Sequence, residues 1–344
     1  MRVLVTGHQG YIGSALVPIL LDRGHQVTGC DAGLYSRCRF PGEQREVPGI
    51  RKDIRALTAG ELEGFDAIVH LAALSNDPLG NYQPRLTHEI NCDASVQLAE
   101  NAVAAGVRRL VFASSCSVYG AAGEALLHEH SPFNPVTPYG ESKAAAELGI
   151  AALANGEFSP SVVRAGTVYG VSPRIRFDLV LNNLVAWASA TGVVRLKSDG
   201  RAWRPLVHVS DVARAYAAVL EAPRELVHEQ AFNVGRTGEN YRIIDLARVV
   251  EATIPGSCVE FVDEPDQDRR DYRVDCDKIQ SLLPDAEPRW TIEQGVEELH
   301  AALRRFPLAP EDFEGERFSR IAHVRHLQST GCLDENLYWT AVAT

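Results

Sequence analysis

What this chain lacks excludes several broad classes before any motif is read. Its seven cysteines are scattered and no two form a CxxC pair, which argues against a disulfide frame and predicts reduced thiols in a cytoplasmic setting. No apolar run is long enough to span a bilayer. The first strand pattern opens at Arg2, leaving no room for a signal peptide, so neither export nor a membrane partner is expected. There is no basic excess: 34 Lys and Arg residues face 45 Asp and Glu residues, a net charge of −11, opposite in sign to a nucleic-acid footprint. Internal repeats and low-complexity tracts are also absent. The remainder, 45% hydrophobic and 23% charged over 344 residues, can bury a core in one large or two medium domains.

The most informative stretch is at the start. Arg2-Val3-Leu4-Val5-Thr6 reads as a short buried strand, and glycines at 7, 10 and 13 make a tight turn. Residues 14–21 continue as a helix, where Pro18 marks a kink or a late start. Strand, glycine turn and helix together point backbone N–H groups and a positive helix end at a pyrophosphate. Gly7 permits the turn, Gly10 admits the cofactor, and Gly13 lets the helix approach the strand. A second strand over residues 24–30 ends at Asp31. An acidic residue there binds the ribose hydroxyls of NAD and repels the extra phosphate of NADP.

Strand and helix patterns alternate through about residue 170, which predicts a parallel, doubly wound sheet. After a polar loop to Pro48, residues 49–54 form a short strand carrying Asp53. Residues 65–73 form a core strand whose end, Leu71-Ala72-Ala73, is small enough to leave room for a ligand above the sheet. His70, inside that apolar run, is expected to be a satisfied core histidine rather than a metal ligand. Residues 74–78 form a polar turn, a long helix runs from Asn91 through Ala105, and residues 108–115 form the next strand.

That strand closes on Ser114-Ser115-Cys116-Ser117-Val118-Tyr119-Gly120, and downstream Pro138-Tyr139-Gly140-Glu141-Ser142-Lys143 opens a helix. Tyr139 and Lys143 are one helical turn apart and share a face. An ammonium near a phenol is expected to lower its pKa from about 10 toward neutrality. Tyr139 is then a usable base for a substrate hydroxyl, and Lys143 can also bind the nicotinamide ribose.

The GxxGxxG turn, the serine strand and the YxxxK helix together resemble the extended short-chain dehydrogenase/reductase family, the nucleotide-sugar epimerases and dehydratases, from Met1 to about Arg305. The resemblance adds Tyr11 and Ile12 to the glycines as cofactor contacts. It places Asp53 and Ile54 at the adenine, although physics alone leaves Asp53 equally readable as a loop cap. It makes Ser115 the hydrogen-bond partner of the sugar hydroxyl, with Ser114 and Ser117 as neighbours that share or replace it. The family's 4,6-dehydratases carry an Asp-Glu pair at the next two positions, and its decarboxylases a Glu at the second. Here these are Cys116 and Ser117, so elimination is disfavoured and plain hydride exchange is expected. The cysteine of fucose-synthase-like enzymes lies one place further on, so Cys116 is read as a small buried hydrophobe.

In the second half, the resemblance implies that Thr167 lies on a strand passing the nicotinamide, over residues 162–170. It puts Asn183 and Leu184 on a helix meeting the diphosphate, and Arg195 near the base and ribose. Arg204 and Arg270 would grip the phosphates, while Arg269 and Arg273 read as solvated. Pro205 stands where the family has an aspartate. Arg174-Ile175-Arg176-Phe177-Asp178-Leu179 loosely resembles a stretch of UDP-glucuronate epimerases, so Arg174 or Arg176 would meet a sugar carboxylate. Beyond Arg305 the resemblance stops. Phe318, Ile321, Val324 and Leu327 recur at three-residue steps, predicting a helix over 316–329 with Gly331 as its stop, packed on the body or on a second subunit. His323 and His326 read as a surface pair.

The expected fold is α/β, a Rossmann-type doubly wound parallel sheet with a smaller C-terminal α/β substrate lobe. Its parts are an NAD-binding domain at 1–172, with segments around 205–240 returning to it, a sugar-nucleotide lobe at 173–305, and a helical extension at 306–344. The expected activity is NAD-dependent 4-epimerisation of a nucleoside-diphosphate sugar, a UDP-sugar such as UDP-glucuronate, through a transient 4-keto sugar. No metal is expected, and a homodimer is. A keto-sugar reductase or decarboxylase is the first alternative, and a catalytically silent nucleotide-sensing scaffold the second.

Overall fold

The computed structural model describes residues 1–75, 77–262 and 268–341. Seven strands form the central sheet: β1 (Arg2–Thr6), β2 (Gln26–Asp31), β3 (Gly49–Arg51), β4 (Ala67–His70), β5 (Arg109–Ser115), β6 (Ser159–Ala165) and β7 (Gln230–Val234). Their order is β7-β6-β5-β4-β1-β2-β3, and every neighbouring pair is parallel. This is the Rossmann-type doubly wound sheet. Val3, Leu4 and Val5 have no exposed surface, as a strand covered by helices on both faces requires. The chain turns one way from β1 to β2 and the other way from β1 to β4, so a crevice opens above their carboxyl ends.

The first helix spans Tyr11–Asp22, so it starts earlier than residue 14 and runs on through Pro18. Ser14 N–H donates to the Gly10 carbonyl at 3.0 Å and closes the first turn. The helix Val209–Glu221 packs against it, and β7 follows in the main sheet. The strand expected over 49–54 stops at Arg51, because Asp53 caps a single turn at 54–56 by accepting from Arg55 N–H. The strand expected over 162–170 is two strands. After β6 the chain breaks at Gly166, whose close approach to the Pro205 carbonyl leaves 3.0 Å for any Cβ, and Thr167–Tyr169 pairs with Trp203–His208 instead. His70 is fully buried, bonded to Thr6 Oγ1 at 2.6 Å and Ser95 Oγ at 2.8 Å. Burial lowers its pKa to about 3, so it is a neutral core residue.

The second lobe carries small sheets: 240–242 with 203–208 and 167–169, 258–261 with 193–196, and 271–274 with 121–127. The chain then returns to the first unit. A helix at Arg320–Ser329 ends at Gly331, which has φ 71°. Its Val324 and Leu327, with Leu333 and Leu337, join the core around Leu4 and Ile68. The expected surface pair is corrected here: His323 is buried between the Glu316 and Leu34 carbonyls, and only His326 is at the surface, against Glu316. Among the described residues no helix is long and apolar enough to cross a membrane.

Candidate active site

A cavity of about 1070 Å³ lies over the carboxyl ends of the central strands, between the sheet and the second lobe. The cofactor candidates Gly7 to Asp31, Asp53 and Ile54, and Leu71 to Ala73 line it. So do Ser115, Ser117, Tyr139, Lys143, Thr167, Arg176, Asn183, Leu184, Arg204 and Arg270. Arg195 and Leu196 also reach it, whereas Arg174 does not.

One wall is main chain. Gly7 has φ 70°, and a Cβ on it would sit 2.8 Å from the Ala72 nitrogen. A Cβ on Gly13 would lie 2.3 Å from the Gly7 carbonyl oxygen and 2.7 Å from His8 Cα. Gly13 therefore lets the helix meet the turn itself rather than the strand. No side chain caps this helix, so the N–H groups of its first turn are left for a ligand. Asp31, at the end of β2, accepts from Gln9 N–H at 3.1 Å and Gly33 N–H at 2.8 Å. These features fit a dinucleotide with its diphosphate at the helix end and a ribose at Asp31. Asp53 lines the cavity while also capping its turn and pairing with Arg55 at 2.8 Å.

The catalytic candidates meet above β5. The Ser115 hydroxyl lies beside the Tyr139 phenol, close enough to lower its pKa, and donates to Ser117 Oγ at 3.2 Å. Burial, followed by the charge of Asp77, pushes the Tyr139 phenol up to about 12, with the Ser115 bond opposing. This corrects the expected lowering. Lys143 Nζ donates instead to the Ala113 carbonyl at 2.8 Å and lies 4.7 Å from the Phe112 ring centre. Burial pulls the Lys143 ammonium down to about 7, against the opposing charge of Glu147. Ser114 also lines the cavity, but its hydroxyl donates to Glu147, which pairs with Arg164 at 2.6 Å in a buried network behind the site. Cys116 is wholly buried against the Arg164 carbonyl.

The opposite wall is built of guanidinium groups. Arg204 and Arg270 share Asp268, at 2.7 and 2.6 Å. Burial opposes ionisation of Asp268, but the two arginines outweigh it and hold the carboxyl well below its ordinary value. Arg270 also pairs with Asp77 at 2.7 Å and reaches Ser117 Oγ at 3.4 Å. Arg176 holds Asp178 through two nitrogens, at 3.0 and 2.9 Å, and donates to the Ser75 carbonyl. Asn183 donates to the Phe177 carbonyl and to Glu314. Arg269 is exposed and Arg273 lies on the Trp203 ring.

Sequence reasoning missed Asp77, which it placed only in a polar turn; Asn76 of that turn lies outside the described residues. It also missed Ser319, Arg320, Ile321, Arg325 and Leu337, which bring the C-terminal segment to the cavity. The three-residue apolar step showed the helix, but nothing local to 316–329 shows which part of the molecule it covers.

A model of the NAD dependent epimerase/dehydratase family matches residues 3–235. The UDP-glucose 4-epimerase of Erwinia amylovora is 27% identical over 333 residues, covering 87% of this chain and 95% of that protein. The solved structure of MoeE5 in complex with UDP-glucuronic acid and NAD is 30% identical, with a TM-score of 0.77 over 89% of this chain and 99% of that one. DesIV, a dTDP-glucose 4,6-dehydratase of Streptomyces venezuelae solved with NAD, is 27% identical, with a TM-score of 0.76 over 89% and 98%. A glycine-turn dinucleotide cavity, a Ser-Tyr-Lys constellation above it and a family match spanning most of the chain lead to one conclusion: this protein belongs to the NAD-dependent epimerase/dehydratase family.

Proposed function

We propose that this protein is a 4-epimerase of UDP-sugars that uses NAD without net consumption. The observation that carries this reading is the end of β5. Ser115 faces Tyr139 across the cavity, while positions 116 and 117, where elimination needs carboxylates, hold a buried thiol and a hydroxyl turned to Ser115. When bound, NAD supplies a reversible acceptor for the hydrogen on the sugar carbon. Tyr139, as phenolate, accepts the proton of the 4-hydroxyl, and Ser115 holds that oxygen by a hydrogen bond. Burial and the charge of Asp77 keep the free phenol protonated, and Lys143, on the same helical face, supplies the positive charge that favours its phenolate. Arg204 and Arg270 grip the diphosphate once Asp268 and Asp77 yield part of their hold. The transient ketone turns over in the site, and Tyr139 returns the proton to the same oxygen with the carbon inverted.

The sugar at C6 is neutral or carboxylate. For a carboxylate the support is Arg176 in the cavity, although its paired-nitrogen edge already holds Asp178. Leu148, 65% exposed on the helix of Tyr139, and Val103, 37% exposed on Ala94–Ala104, support pairing of these helices in a homodimer. A cytoplasmic setting is part of the same reading and rests on the free cysteines. The test is incubation of the purified protein, without added cofactor, with UDP-glucose, UDP-glucuronate and a dTDP-sugar, following the ring protons by NMR. The 4-epimer is expected to appear with no growth of NADH absorbance. Stable NADH with a keto or shortened sugar would overturn the reading in favour of oxidation or decarboxylation.

A further inference from the structure

The segment after Arg305 folds back onto the loop that follows Asp31. Trp339 Nε1 donates to the Ala32 carbonyl at 2.6 Å, and His323 reaches the Leu34 carbonyl at 3.1 Å. Arg55 lies on the Tyr338 ring, 3.8 Å from its centre, and donates to the Asn336 carbonyl. From the other side, Arg174 donates to the Tyr35 and Ser36 carbonyls at 2.9 and 2.8 Å. The loop between β2 and β3 is thus clamped on both sides, and Arg320 enters the cavity beside it.

Arg320 is 3% exposed and makes no salt bridge among the described residues. Its Nη2 donates to the Arg174 carbonyl at 3.1 Å, its guanidinium lies 4.3 Å from the centre of the Tyr35 ring and beside the Cys38 thiol, and its buried Nη1 has no hydrogen-bond acceptor among the described residues. Arg174, 4% exposed, likewise has a buried Nε without a partner. Burial, and then the charges of Arg39 and Arg320, pull Arg174 below its ordinary value. Asp31 offsets part of this on Arg174, but two buried cations side by side with no salt bridge among the described residues are costly unless an anion completes the site. The position says which anion. Ser172, two residues before Arg174, bonds the Tyr11 carbonyl at 3.0 Å and Ser14 Oγ at 2.8 Å, so this corner adjoins the uncapped start of the first helix. Tyr11, Ile12, Asp31 and Arg320 line one cavity.

We propose that Arg320, delivered by the C-terminal segment and backed by the charge of Arg174, is a contact for the diphosphate of NAD, which makes residues 316–341 part of the cofactor site. The inference rests on NAD occupying the glycine-turn cavity. Arg320 supplies the fixed charge, and the helix end supplies N–H groups to the same phosphates.

The test uses the full chain with Arg320→Gln and Arg320→Lys. NAD retained per protomer after gel filtration is measured by acid release and chromatography, and NAD and UDP affinities of the stripped proteins by calorimetry. Arg320→Gln is expected to bind NAD at least about tenfold more weakly, with Arg320→Lys between it and wild type and UDP affinity unchanged. The stripped Arg320→Gln protein is expected to melt no lower than stripped wild type, since an unpaired buried charge has been removed. A purely structural arginine would instead lower that melting point and leave NAD affinity intact, overturning the proposal. Loss of UDP rather than NAD affinity would also overturn it, by assigning the anion to the substrate. A wild-type protein that binds no NAD would overturn the cofactor reading itself and this inference with it.

Discussion

The two sides of the cavity are made from different material. The sheet side is main chain: a left-handed Gly7, a Gly13 pressed on the Gly7 carbonyl, and an uncapped helix end, all within one continuous stretch of sequence. The opposite side is side chain. Arg176, Arg204 and Arg270 come from three separate segments and are held by Asp178, Asp268 and Asp77. A wall of backbone has fixed geometry and few tolerated substitutions. A wall of ion pairs can be exchanged for ligand phosphates, because each carboxylate holds the place an anion takes later. The first side is suited to a cofactor that stays, and the second to a substrate that turns over.

The sharpest way to separate chemistry from both walls is Tyr139→Phe, which removes one hydroxyl between them. We expect the epimerisation rate to fall by about 10²–10⁴-fold, measured by NMR, with NAD content close to wild type. A fall in NAD content of the same size would show that Tyr139 holds cofactor first.

The backbone wall is broken by Gly13→Ala. Its Cβ meets the Gly7 carbonyl and His8 Cα at 2.3 and 2.7 Å, and neither is a flexible chain end that can give way. Overpacking of this kind costs about 1–3 kcal/mol. The expected result is a protein that purifies with little nucleotide and has a lower melting temperature. Retention of wild-type NAD content would show that the turn relaxes and that this wall is softer than its geometry implies.

The contrast also explains what was legible in the sequence. The glycine turn, Asp31 and the Tyr139–Lys143 helix could be read because their geometry is local: a turn of fixed spacing, a strand end, one helical step. Ser115 could be singled out among its neighbours only through the family resemblance. The expected lowering of Tyr139 failed for a nonlocal reason: the fold buries the phenol and brings the charge of Asp77 to it, while Lys143 is bonded to the Ala113 carbonyl. Ser114 was left open because only the tertiary structure brings Glu147 to its hydroxyl. The end of the chain shows the limit most clearly. Apolar residues at three-residue steps announce a helix, but Arg320 sits on it with no local mark distinguishing it from Arg325 or Arg317.

The side-chain wall is tested by Arg270→Ala. Removing a half-buried guanidinium that pairs with two carboxylates leaves Asp77 without its ion-pair partner, Asp268 with Arg204 alone, and the diphosphate without half of its clamp. We expect KM for the UDP-sugar to rise about 10- to 100-fold, with a smaller change in kcat and no change in NAD content. A change in kcat alone would place Arg270 on the reacting sugar instead of the phosphates.

The smallest predicted effect joins the two walls. Asp77 bonds Arg270 on one side, and its charge raises the Tyr139 phenol on the other. Asp77→Asn removes that charge and leaves Arg270 more positive, and both changes favour the phenolate. The Tyr139 pKa should therefore fall. Because the reaction needs the deprotonated form, the acid limb of kcat/KM should move to lower pH, by of order one unit. The freed Arg270 should at the same time lower KM for the UDP-sugar. A pH profile that stays in place while KM falls would confine Asp77 to the phosphate clamp. A limb that moves to higher pH would mean that Asp77, whose Oδ1 is buried without a partner, serves the proton transfer directly.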